Sequence, residues 1–347
     1  MLLILSACAT PADLTQLPRL PKKEAAVGLI PQEYLCPGVD PAEAPDPQLV
    51  REIHAFLEEN GMLGGMPAGL AGDLPLVLNG PVRSYLRVFT TSQKAIFETY
   101  LSRSGRYLPM IRRVFREQGL PQDLVYLALV ESGFSPRARS HAGAVGLWQF
   151  IEGTGRRYGL KVDQWVDERR DPEKATRAAA HYLKDLHRQF GCWYLAAAGY
   201  NAGEKRVQGV VDRYATRDFW VMAQKKLLPQ ETCNYVPQLI AASLIAKNPR
   251  KYGFTQISYL RPWSYEPVKV AQGTDLRRFA ESLGISCKDL MELNPELNQA
   301  QAPGDRQEYP LKIMVQKKNR ALRLARVGQK QKPGIGARAT ERVASND

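Results

Sequence analysis

Apolar residues recur at helical spacing through most of the chain from Leu49 to about Asn248. The alternation of apolar and polar positions that is typical of a half-buried strand is nearly missing from this part. The pattern therefore predicts a mainly α body, with its clearest helices at residues 81–102, 107–118, 121–131 and 171–190. The last of these begins with Asp171 and Pro172, an N-cap followed by a proline in the first turn.

After Trp263 the pattern changes to that of a small βααβ module. We expect strands at residues 267–270 and 309–315, and two short helices between them at residues 275–283 and 287–293. From residue 316 onward a basic helix-like stretch leads into a tail that contains Gly and Pro, and we expect this tail to be disordered. At the other end, residues 9–48 contain eight prolines, a density that predicts an extended tether.

The chain has 347 residues, of which 44% are apolar and 24% are charged, as expected of folded domains. No run approaches the ~18 apolar residues of a membrane-spanning helix, which excludes a polytopic membrane protein. The net charge is +13, and residues 312–347 hold ten basic residues against two acidic ones. This distribution indicates a tail attracted to nucleic acid, an anionic membrane or an anionic cell-wall polymer, not a nucleic-acid-binding body.

The first residues form a short apolar stretch that ends in Leu5-Ser6-Ala7-Cys8. This resembles a bacterial lipobox, whose cysteine is acylated and becomes the mature N-terminus. No basic residue precedes Cys8, and the apolar part is shorter than the ~7–15 residues of a full signal. We therefore expect a truncated lipoprotein signal with lipidation at Cys8, and an ordinary apolar N-terminus is the alternative.

The remaining cysteines have spacings that match no compact metal motif: Cys36, Cys192, Cys233 and Cys287. Their pattern fits buried apolar residues as well as disulfide partners in an exported protein. The four histidines form no i, i+4 pair. We therefore expect no metal site and no cofactor.

Glu131 is the residue with the clearest chemical potential. Leu124, Leu127 and Ala128 share a helical face with it, and that face is apolar until it reaches the carboxyl group. Burial and the negative end of a helix dipole both favour the neutral acid, so both raise its pKa. A carboxyl group protonated near neutrality suits general-acid cleavage of a glycosidic bond, whereas a solvent-exposed helix-terminal Glu is the alternative.

Residues 132–151 contain no Asp or Glu, although most glycosidases use two carboxylates. Aromatic side chains with hydrogen-bonding neighbours suit a sugar, and Trp148, Tyr200 and Asn201 are candidates. For any one aromatic residue taken alone, a place in the core of the helical body is the favoured explanation.

Four motifs occur in order: Glu131-Ser132-Gly133-Phe134, Gly146-Leu147-Trp148-Gln149, Gly199-Tyr200-Asn201-Ala202-Gly203 and Glu231-Thr232-Cys233-Asn234-Tyr235-Val236-Pro237. Together they resemble the lytic murein transglycosylases with a goose-type lysozyme-like helical catalytic domain, in particular the membrane-bound lytic murein transglycosylase D group. The resemblance runs from about residue 81 to residue 248 and is specific because the motifs are several and ordered.

The resemblance implies cleavage of the β-1,4 bond between N-acetylmuramic acid (MurNAc) and N-acetylglucosamine (GlcNAc) in peptidoglycan, without water, to leave a 1,6-anhydroMurNAc end. Glu131 matches the family's single catalytic acid, which then acts as the base. Ser140 and Tyr200 match positions that orient the 2-acetamido group of the substrate. Gln149, Asn201 and Glu231 match positions that line the saccharide groove. Ile151 matches a residue of the groove wall, and Tyr235 matches a motif aromatic residue near the acid.

Residues 268–312 resemble a degenerate LysM-like module, with Gly273-Thr274-Asp275-Leu276 at its opening motif. Whether this module binds glycan or only supports the structure stays open. The resemblance implies a membrane-anchored lipoprotein on the periplasmic face of a bacterial envelope, with peptidoglycan as its partner. We expect no specific nucleic acid partner and a contact of the basic tail with anionic wall or lipid.

Two alternatives stay open: a muramidase-type hydrolase on the same fold, and a non-catalytic wall-binding lipoprotein, against which the intact Glu131 argues. The expected organisation is a truncated lipoprotein signal (1–8), a proline-rich tether (9–48), an N-terminal helical extension packing on the catalytic domain (49–103), the catalytic domain (104–262), the LysM-like module (263–315) and the basic tail (316–347).

Overall fold

The computed structural model describes Leu74 and residues 77–330. These residues form two compact units. The first comprises the described residues up to Lys161 together with Glu168–Pro262, and the second comprises Val162–Asp167 and the described residues from Trp263 onward. The predicted lipidation site Cys8, the proline-rich tether, much of the predicted extension and the end of the tail lie outside the described residues.

The first unit is helical, and the predicted mainly α fold class is confirmed. Its α-helices are α1 Gly80–Thr90, α2 Lys94–Glu117, α3 Leu127–Ser132, α4 Glu152–Arg157, α5 Pro172–Phe190, α6 Trp193–Ala202, α7 Glu204–Tyr214, α8 Phe219–Gln224 and α9 Gln230–Lys247. Short 3-10 helices lie at Gln122–Tyr126, Glu168–Arg170 and Pro249–Tyr252. One hydrophobic core runs through this unit and includes aromatic residues from most of the long helices.

The helix predicted at residues 81–102 is interrupted between α1 and α2. The hydroxyl groups of Thr90 and Thr91 donate to backbone carbonyls one turn back, at 2.8 and 2.6 Å. Such side chains offer the backbone an alternative to helical hydrogen bonds and favour helix ends. Phe89 and Phe97 are buried on either side of the break, so apolar residues keep their helical spacing across it. The spacing alone therefore predicted one continuous helix.

Residues 103–106, predicted to separate two helices, lie inside α2. An added Cβ at Gly105 would lie 2.8 Å from the carbonyl oxygen of Leu260 and 2.9 Å from the Cβ of Tyr259. This glycine therefore permits close packing and does not end the helix. As a result, α2 runs without a break from the predicted N-terminal extension into the predicted catalytic domain.

The helix predicted at residues 121–131 consists of the 3-10 helix followed by α3. α3 ends at Gly133, whose φ of 56° is left-handed, and the amide of Phe134 donates to the carbonyl oxygen of Ala128 at 3.2 Å. This arrangement is a Schellman-type end that satisfies the last carbonyl groups of the helix. Leu127 and Ala128 are fully buried, so a short helix crosses the core and carries Glu131 in its last turn.

The predicted start of the helix at residues 171–190 is confirmed. The carboxyl group of Asp171 accepts hydrogen bonds from the amides of Glu173 and Lys174, both at 3.0 Å, and Pro172 is the first residue of α5. The helix ends at Phe190, before Gly191 in the left-handed region. Both ends therefore follow the rules from which they were predicted.

The second unit contains the predicted βααβ arrangement. Strand β1 (Tyr265–Ala271) pairs antiparallel with β2 (Glu308–Met314), and the helices α10 (Leu276–Leu283) and α11 (Cys287–Leu293) lie between them in sequence. Val268 pairs with Leu311 in a register that buries both side chains. The unit has its own hydrophobic core.

One feature of the second unit agrees with the sequence analysis and another differs from it. The basic helix-like stretch predicted at the start of the 316–347 tail is the helix α12 (Lys318–Lys330), in which Ala321 and Ala325 bury a small apolar face one turn apart. Residues 162–167, which the sequence assigned with the catalytic domain, belong to this unit: the amide side chain of Asn298 donates to the carbonyl oxygen of Asp163 at 2.8 Å.

Two glycines of one loop differ in what a side chain would meet. At Gly146, with φ of +87°, an added Cβ would lie 1.9 Å from the carbonyl oxygen of Arg169, whereas at Gly143, with φ of +77°, it would meet nothing within 4 Å. We expect Gly143→Ala to lower the free energy of unfolding by about 1–2 kcal/mol, the cost of the left-handed conformation. Gly146→Ala should lower it by about 3–5 kcal/mol, since a backbone clash is added.

Urea unfolding of the two variants measures this difference. Equal losses of stability would contradict the close packing of Gly146 against the backbone of Arg169.

Candidate active site

Glu131 lines a cleft of about 310 Å³ in the first unit. The walls come from α1 and α2, from α3 and the residues after it, and from α9. The lining residues are Phe89, Gln93, Phe97, Tyr100, Arg103, Leu129, Val130, Glu131, Ser132, Gly133, Ser135, Ala138, Arg139, Gln149 and Gln238. Of the predicted site residues, Glu131 and Gln149 are among them.

Among the described residues, the carboxyl group of Glu131 has one direct hydrogen-bond partner, the hydroxyl group of Tyr235 on α9, which donates to Oε1 at 2.5 Å. The pKa of Glu131 is raised to about 7: burial raises it, the hydrogen bond from Tyr235 lowers it, and the negative charge of Glu231 adds a smaller rise. Desolvation is the largest of these effects. The side chain can therefore hold a proton and release it near neutral pH.

Glu231 and Tyr235 lie one turn apart on the same side of α9. Tyr235 is buried and Glu231 is exposed. The motif that contains both residues therefore brings a buried hydroxyl group to the acid and a solvated carboxylate near it. The family resemblance implied a place near the acid for Tyr235 and a place in the saccharide groove for Glu231, but it did not imply that Tyr235 bonds to the carboxyl group.

Tyr200 lies close to Glu131 and Tyr235. Its hydroxyl group donates to the carbonyl oxygen of Trp148 at 2.8 Å, and the charge of Glu131 contributes to raising its pKa well above the ordinary value, after burial. The ring of Tyr182 packs beside it, with centroids 5.1 Å apart, and the hydroxyl group of Tyr182 donates to Glu204 at 2.9 Å. The side chain of Tyr200 is thus held by a hydrogen bond at its hydroxyl group and by ring packing against Tyr182.

The loop after α3 is held to that helix by a hydroxyl group. Ser132 donates to the carbonyl oxygen of Leu147 at 2.9 Å. Gln149, with a positive φ of 46°, turns its amide nitrogen back to the carbonyl oxygen of Gly146 at 2.8 Å. Ser140 accepts a hydrogen bond from the amide of Ala144 at 3.0 Å and lies within the loop, outside the lining of the cleft.

Trp148, a candidate for stacking on a sugar, is a core residue. It is fully buried, its ring stacks on Phe115 with centroids 5.4 Å apart, and its indole nitrogen donates to Thr176 at 2.9 Å. The alternative interpretation of this aromatic residue as part of the helical core is the correct one.

Six predicted site residues lie outside the lining of the cleft: Ser140, Ile151, Tyr200, Asn201, Glu231 and Tyr235. The side-chain oxygen of Asn201 accepts a hydrogen bond from Thr232 at 2.8 Å, which ties the end of α6 to the start of α9. Ile151 is 50% exposed at the N-cap of α4, an unusual exposure for an isoleucine. Their predicted roles toward a glycan stay predictions.

Seven polar residues of the cleft were not predicted as site residues: Gln93, Tyr100, Arg103, Ser132, Ser135, Arg139 and Gln238. Three of them lie on or just before α2, away from the four motifs, and Gln238 follows the last motif by one residue. Only the i, i+3 spacing of Tyr100 and Arg103 hinted that they share a helical face.

The cysteines that the structure describes are of two kinds. Cys192 is disulfide-bonded, while Cys233 and Cys287 are free thiols. Cys233 is buried at the start of α9, as a small apolar residue would be. Within residues 77–330, no cluster of three or more His, Cys, Asp or Glu side chains could hold a metal ion. In the same part of the chain, no helix has the length and apolarity needed to cross a membrane.

Residues 110–223 match the family model described as the transglycosylase SLT domain. This segment of the chain is similar to that domain, and the other residues lie outside the match. The matched segment begins inside α2 and contains Glu131 and Tyr200, while Tyr235 and the N-terminal half of α2 lie outside it. The resemblance to the membrane-bound lytic murein transglycosylase D group is confirmed.

Among curated proteins, membrane-bound lytic murein transglycosylase D of Escherichia coli strain K12 is 32% identical over 246 residues, which are 70% of this chain and 53% of the relative. Peptidoglycan transglycosylase gp16 of phage T7 is 33% identical over 147 residues, 41% of this chain and 10% of the relative. The chain thus spans about half the length of the first of these relatives.

Among solved structures, an inactive variant of the lytic transglycosylase Slt from Pseudomonas aeruginosa matches with a TM-score of 0.35 at 27% identity, over 44% of this chain and 25% of that one. The soluble lytic transglycosylase SLT70 of Escherichia coli matches with a TM-score of 0.38 at 20% identity, over 68% and 40%.

The raised pKa of Glu131 makes stability depend on pH. Because the pKa in the folded chain is about 7 against an ordinary 4.5, the protonated side chain is compatible with folding below pH 4.5. The free energy of unfolding falls as the pH rises from 4.5 through 7, because the unfolded chain releases this proton more readily than the folded one. Above pH 7 the buried carboxyl group is ionised and the loss of stability is complete. We expect Glu131→Gln, which cannot ionise, to be more stable than the wild type by up to about 3 kcal/mol above pH 7, with little difference at pH 4.5.

Urea unfolding at pH 4.5 and pH 8.5 measures the effect, and Glu281→Gln, at an exposed position of the second unit, is the control. A pH-independent difference between wild type and Glu131→Gln would show that the carboxyl group is not desolvated in the folded chain.

Proposed function

We propose that the chain is a peptidoglycan lytic transglycosylase, which cleaves the β-1,4 MurNAc–GlcNAc bond without water and leaves 1,6-anhydroMurNAc ends. The observation that carries the proposal is the environment of Glu131: a carboxyl group with a pKa near 7, lining a cleft in which it is the one acidic residue among those described. The SLT family match and the names of the relatives support the same reaction.

The first step needs an acid. Tyr235 donates to Oε1 of Glu131, so Oε2 is the oxygen that can carry the proton. We infer that this proton passes to the glycosidic oxygen as its bond to the muramoyl C1 breaks. The leaving GlcNAc end receives the proton, and positive charge develops on the muramoyl ring.

The second step needs a base, and the same carboxyl group, now ionised, fills this role. It removes the proton of the muramoyl 6-hydroxyl group as that oxygen bonds to C1, which closes the anhydro ring and restores the protonated acid. The hydrogen bond from Tyr235 stabilises the carboxylate between the two steps. A single residue suffices because the nucleophile is part of the substrate and needs no second carboxylate to activate water.

The remaining site residues hold the sugar in this proposal. Ser140 and Tyr200 orient the 2-acetamido group, whose oxygen stabilises the developing charge. Gln149, Ile151, Asn201 and Glu231 contact the glycan strand along the groove. Support for these roles differs: Tyr200 is electrostatically coupled to Glu131 and Gln149 lines the cleft, whereas the roles of the other four rest on motif correspondence.

The cellular setting is part of the proposal. We place the protein in the bacterial envelope, facing the periplasm, with peptidoglycan as its partner and a lipid at Cys8 as its anchor. The curated D-group relatives are named as membrane-bound. The basic face of α12 and the residues that follow it would contact anionic wall or lipid, in keeping with their charge.

Removal of the acid tests the reaction. Glu131→Gln keeps the shape and hydrogen-bonding capacity of the side chain but cannot transfer the proton. We expect turnover on purified peptidoglycan sacculi to fall by about 10³-fold or more, as for other residues that supply both acid and base catalysis. Mass spectrometry of the released muropeptides measures both the rate and the product.

The mass of the product also separates the proposal from the hydrolase. Anhydromuropeptides from the wild type that vanish in Glu131→Gln support a lyase, whereas products heavier by one water would replace it by a hydrolase. A hydrolase that used Glu231 as its second carboxylate would lose comparable turnover in Glu231→Gln. Sacculus binding without any released product would favour the wall-binding lipoprotein.

The role of Tyr235 predicts a shift in the pH profile. The hydrogen bond from Tyr235 lowers the pKa of Glu131, so Tyr235→Phe should raise that pKa above about 7. Since cleavage requires the protonated acid, the alkaline limb of kcat/KM should move to higher pH, while kcat falls because the carboxylate is less stabilised between the steps. The measurement is the pH dependence of kcat/KM on soluble glycan strands.

Tyr158→Phe is the matched control, since it removes a hydroxyl group that bonds to Asp185 on the surface. An alkaline limb that stays in place in Tyr235→Phe, or moves to lower pH, would contradict the assigned hydrogen bond.

A further inference from the structure

One wall of the cleft comes from the N-terminal half of α2 and the residue before it. Gln93, Phe97, Tyr100 and Arg103 all line the cleft, and all precede the matched SLT segment at residues 110–223. Because α2 is continuous through Gly105, this wall is rigidly joined to the helix that enters the matched segment. The wall is therefore a fixed part of the site.

The charge of the cleft is unusual for the binding of a neutral sugar. Besides Glu131, its charged lining residues are Arg103 and Arg139. When Glu131 is protonated, as the proposed first step requires, the lining carries two positive charges and no negative one. The glycan strand of peptidoglycan is neutral at its acetamido and hydroxyl groups, whereas the peptide stem on the muramoyl lactyl group carries carboxylates. A positive cleft beside the acid complements the stem.

Arg103 and Tyr100 lie one turn apart and both contact the end of α3. The guanidinium group of Arg103 lies 3.5 Å from the carbonyl oxygen of Gly133, a long contact, and forms no ion pair among the described residues. An added Cβ at Gly133 would lie 2.1 Å from the ring of Tyr100. Both side chains therefore contact Gly133, which follows Glu131 by two residues in the sequence.

The hydroxyl group of Tyr100 is buried and has no hydrogen-bond partner within the part of the chain that the structure describes. An unsatisfied buried polar group destabilises a folded protein. A ligand oxygen that accepted this hydrogen bond would remove the penalty. The guanidinium group beside it can supply two further donors to the same anion.

We propose that Arg103 and Tyr100 form a subsite for a carboxylate of the peptide stem carried by the muramoyl sugar that Glu131 cleaves. The proposal rests on the proposed function for the identity of the substrate. According to this proposal, residues of α2 enable the protein to distinguish glycan strands that bear peptide stems from glycan strands whose stems have been removed. The competing explanation is structural: Arg103 only neutralises the carbonyl end of α3.

Direct binding tests the subsite independently of turnover. The protein is the full chain with Glu131→Gln, and the probes are the disaccharide GlcNAc–MurNAc bearing a tetrapeptide and the same disaccharide without peptide, measured by titration calorimetry. We expect Arg103→Gln to weaken binding of the peptide-bearing probe by about tenfold, the value of a charge-assisted hydrogen bond. Binding of the peptide-free probe should change by less than about twofold.

Arg116→Gln is the matched control, because it removes one exposed charge on the same helix, about 20 Å from Arg103 along its axis. It should leave both affinities unchanged. The subsite would be overturned if Arg103→Gln weakened the binding of both probes equally or weakened the binding of neither. So would a peptide-bearing probe that binds no more tightly than the peptide-free one before substitution.

Tyr100→Phe gives a second readout that a structural role would not produce. Loss of an unsatisfied hydroxyl group should raise Tm, and loss of a ligand donor should weaken only the peptide-bearing probe. A variant that lowers Tm and leaves both affinities unchanged contradicts the proposal. The lyase assignment is judged separately: if the wild type releases no anhydromuropeptides while the affinity pattern holds, the reaction is wrong and the subsite stands.

Discussion

The transfer of the Glu131 carboxyl group out of water is the interaction on which the rest of the site depends. Burial in the last turn of α3 raises its pKa to about 7, and the single hydrogen bond from Tyr235 opposes that rise. The short helix can carry an acid into this position because its end is closed by Gly133 in the left-handed region. A helix continued past this residue would direct the following loop away from the acid.

A single acid that must also serve as the base requires a compromise in proton affinity. Full burial without Tyr235 would hold the proton too tightly for the second step, and a well-solvated carboxylate would not hold it in the first. Glu231 adds charge from an exposed position and raises the pKa, while Tyr235 lowers it from a buried one. Both residues come from one turn of α9, so that turn sets the balance in the proposed mechanism.

The sequence predicted those features that depend on local rules. The apolar face that ends in Glu131, the Asp171 N-cap and the βααβ order of the second unit all follow from spacing and capping. Features decided by distant packing were missed. Gly105 is helical because the backbone at Leu260 approaches it, and Trp148 is a core residue because Phe115 and Thr176 enclose it.

The residues of the cleft contributed by α2 belong to this second class, since no motif contains them. Their placement follows from a helix that crosses the start of the matched SLT segment without a break at Gly105. A helix break at that glycine, as the local pattern suggested, would have uncoupled Tyr100 and Arg103 from the acid. Continuity of α2 instead fixes them against Gly133, so changes on this helix can alter what the cleft binds while leaving the environment of Glu131 to α3 and α9.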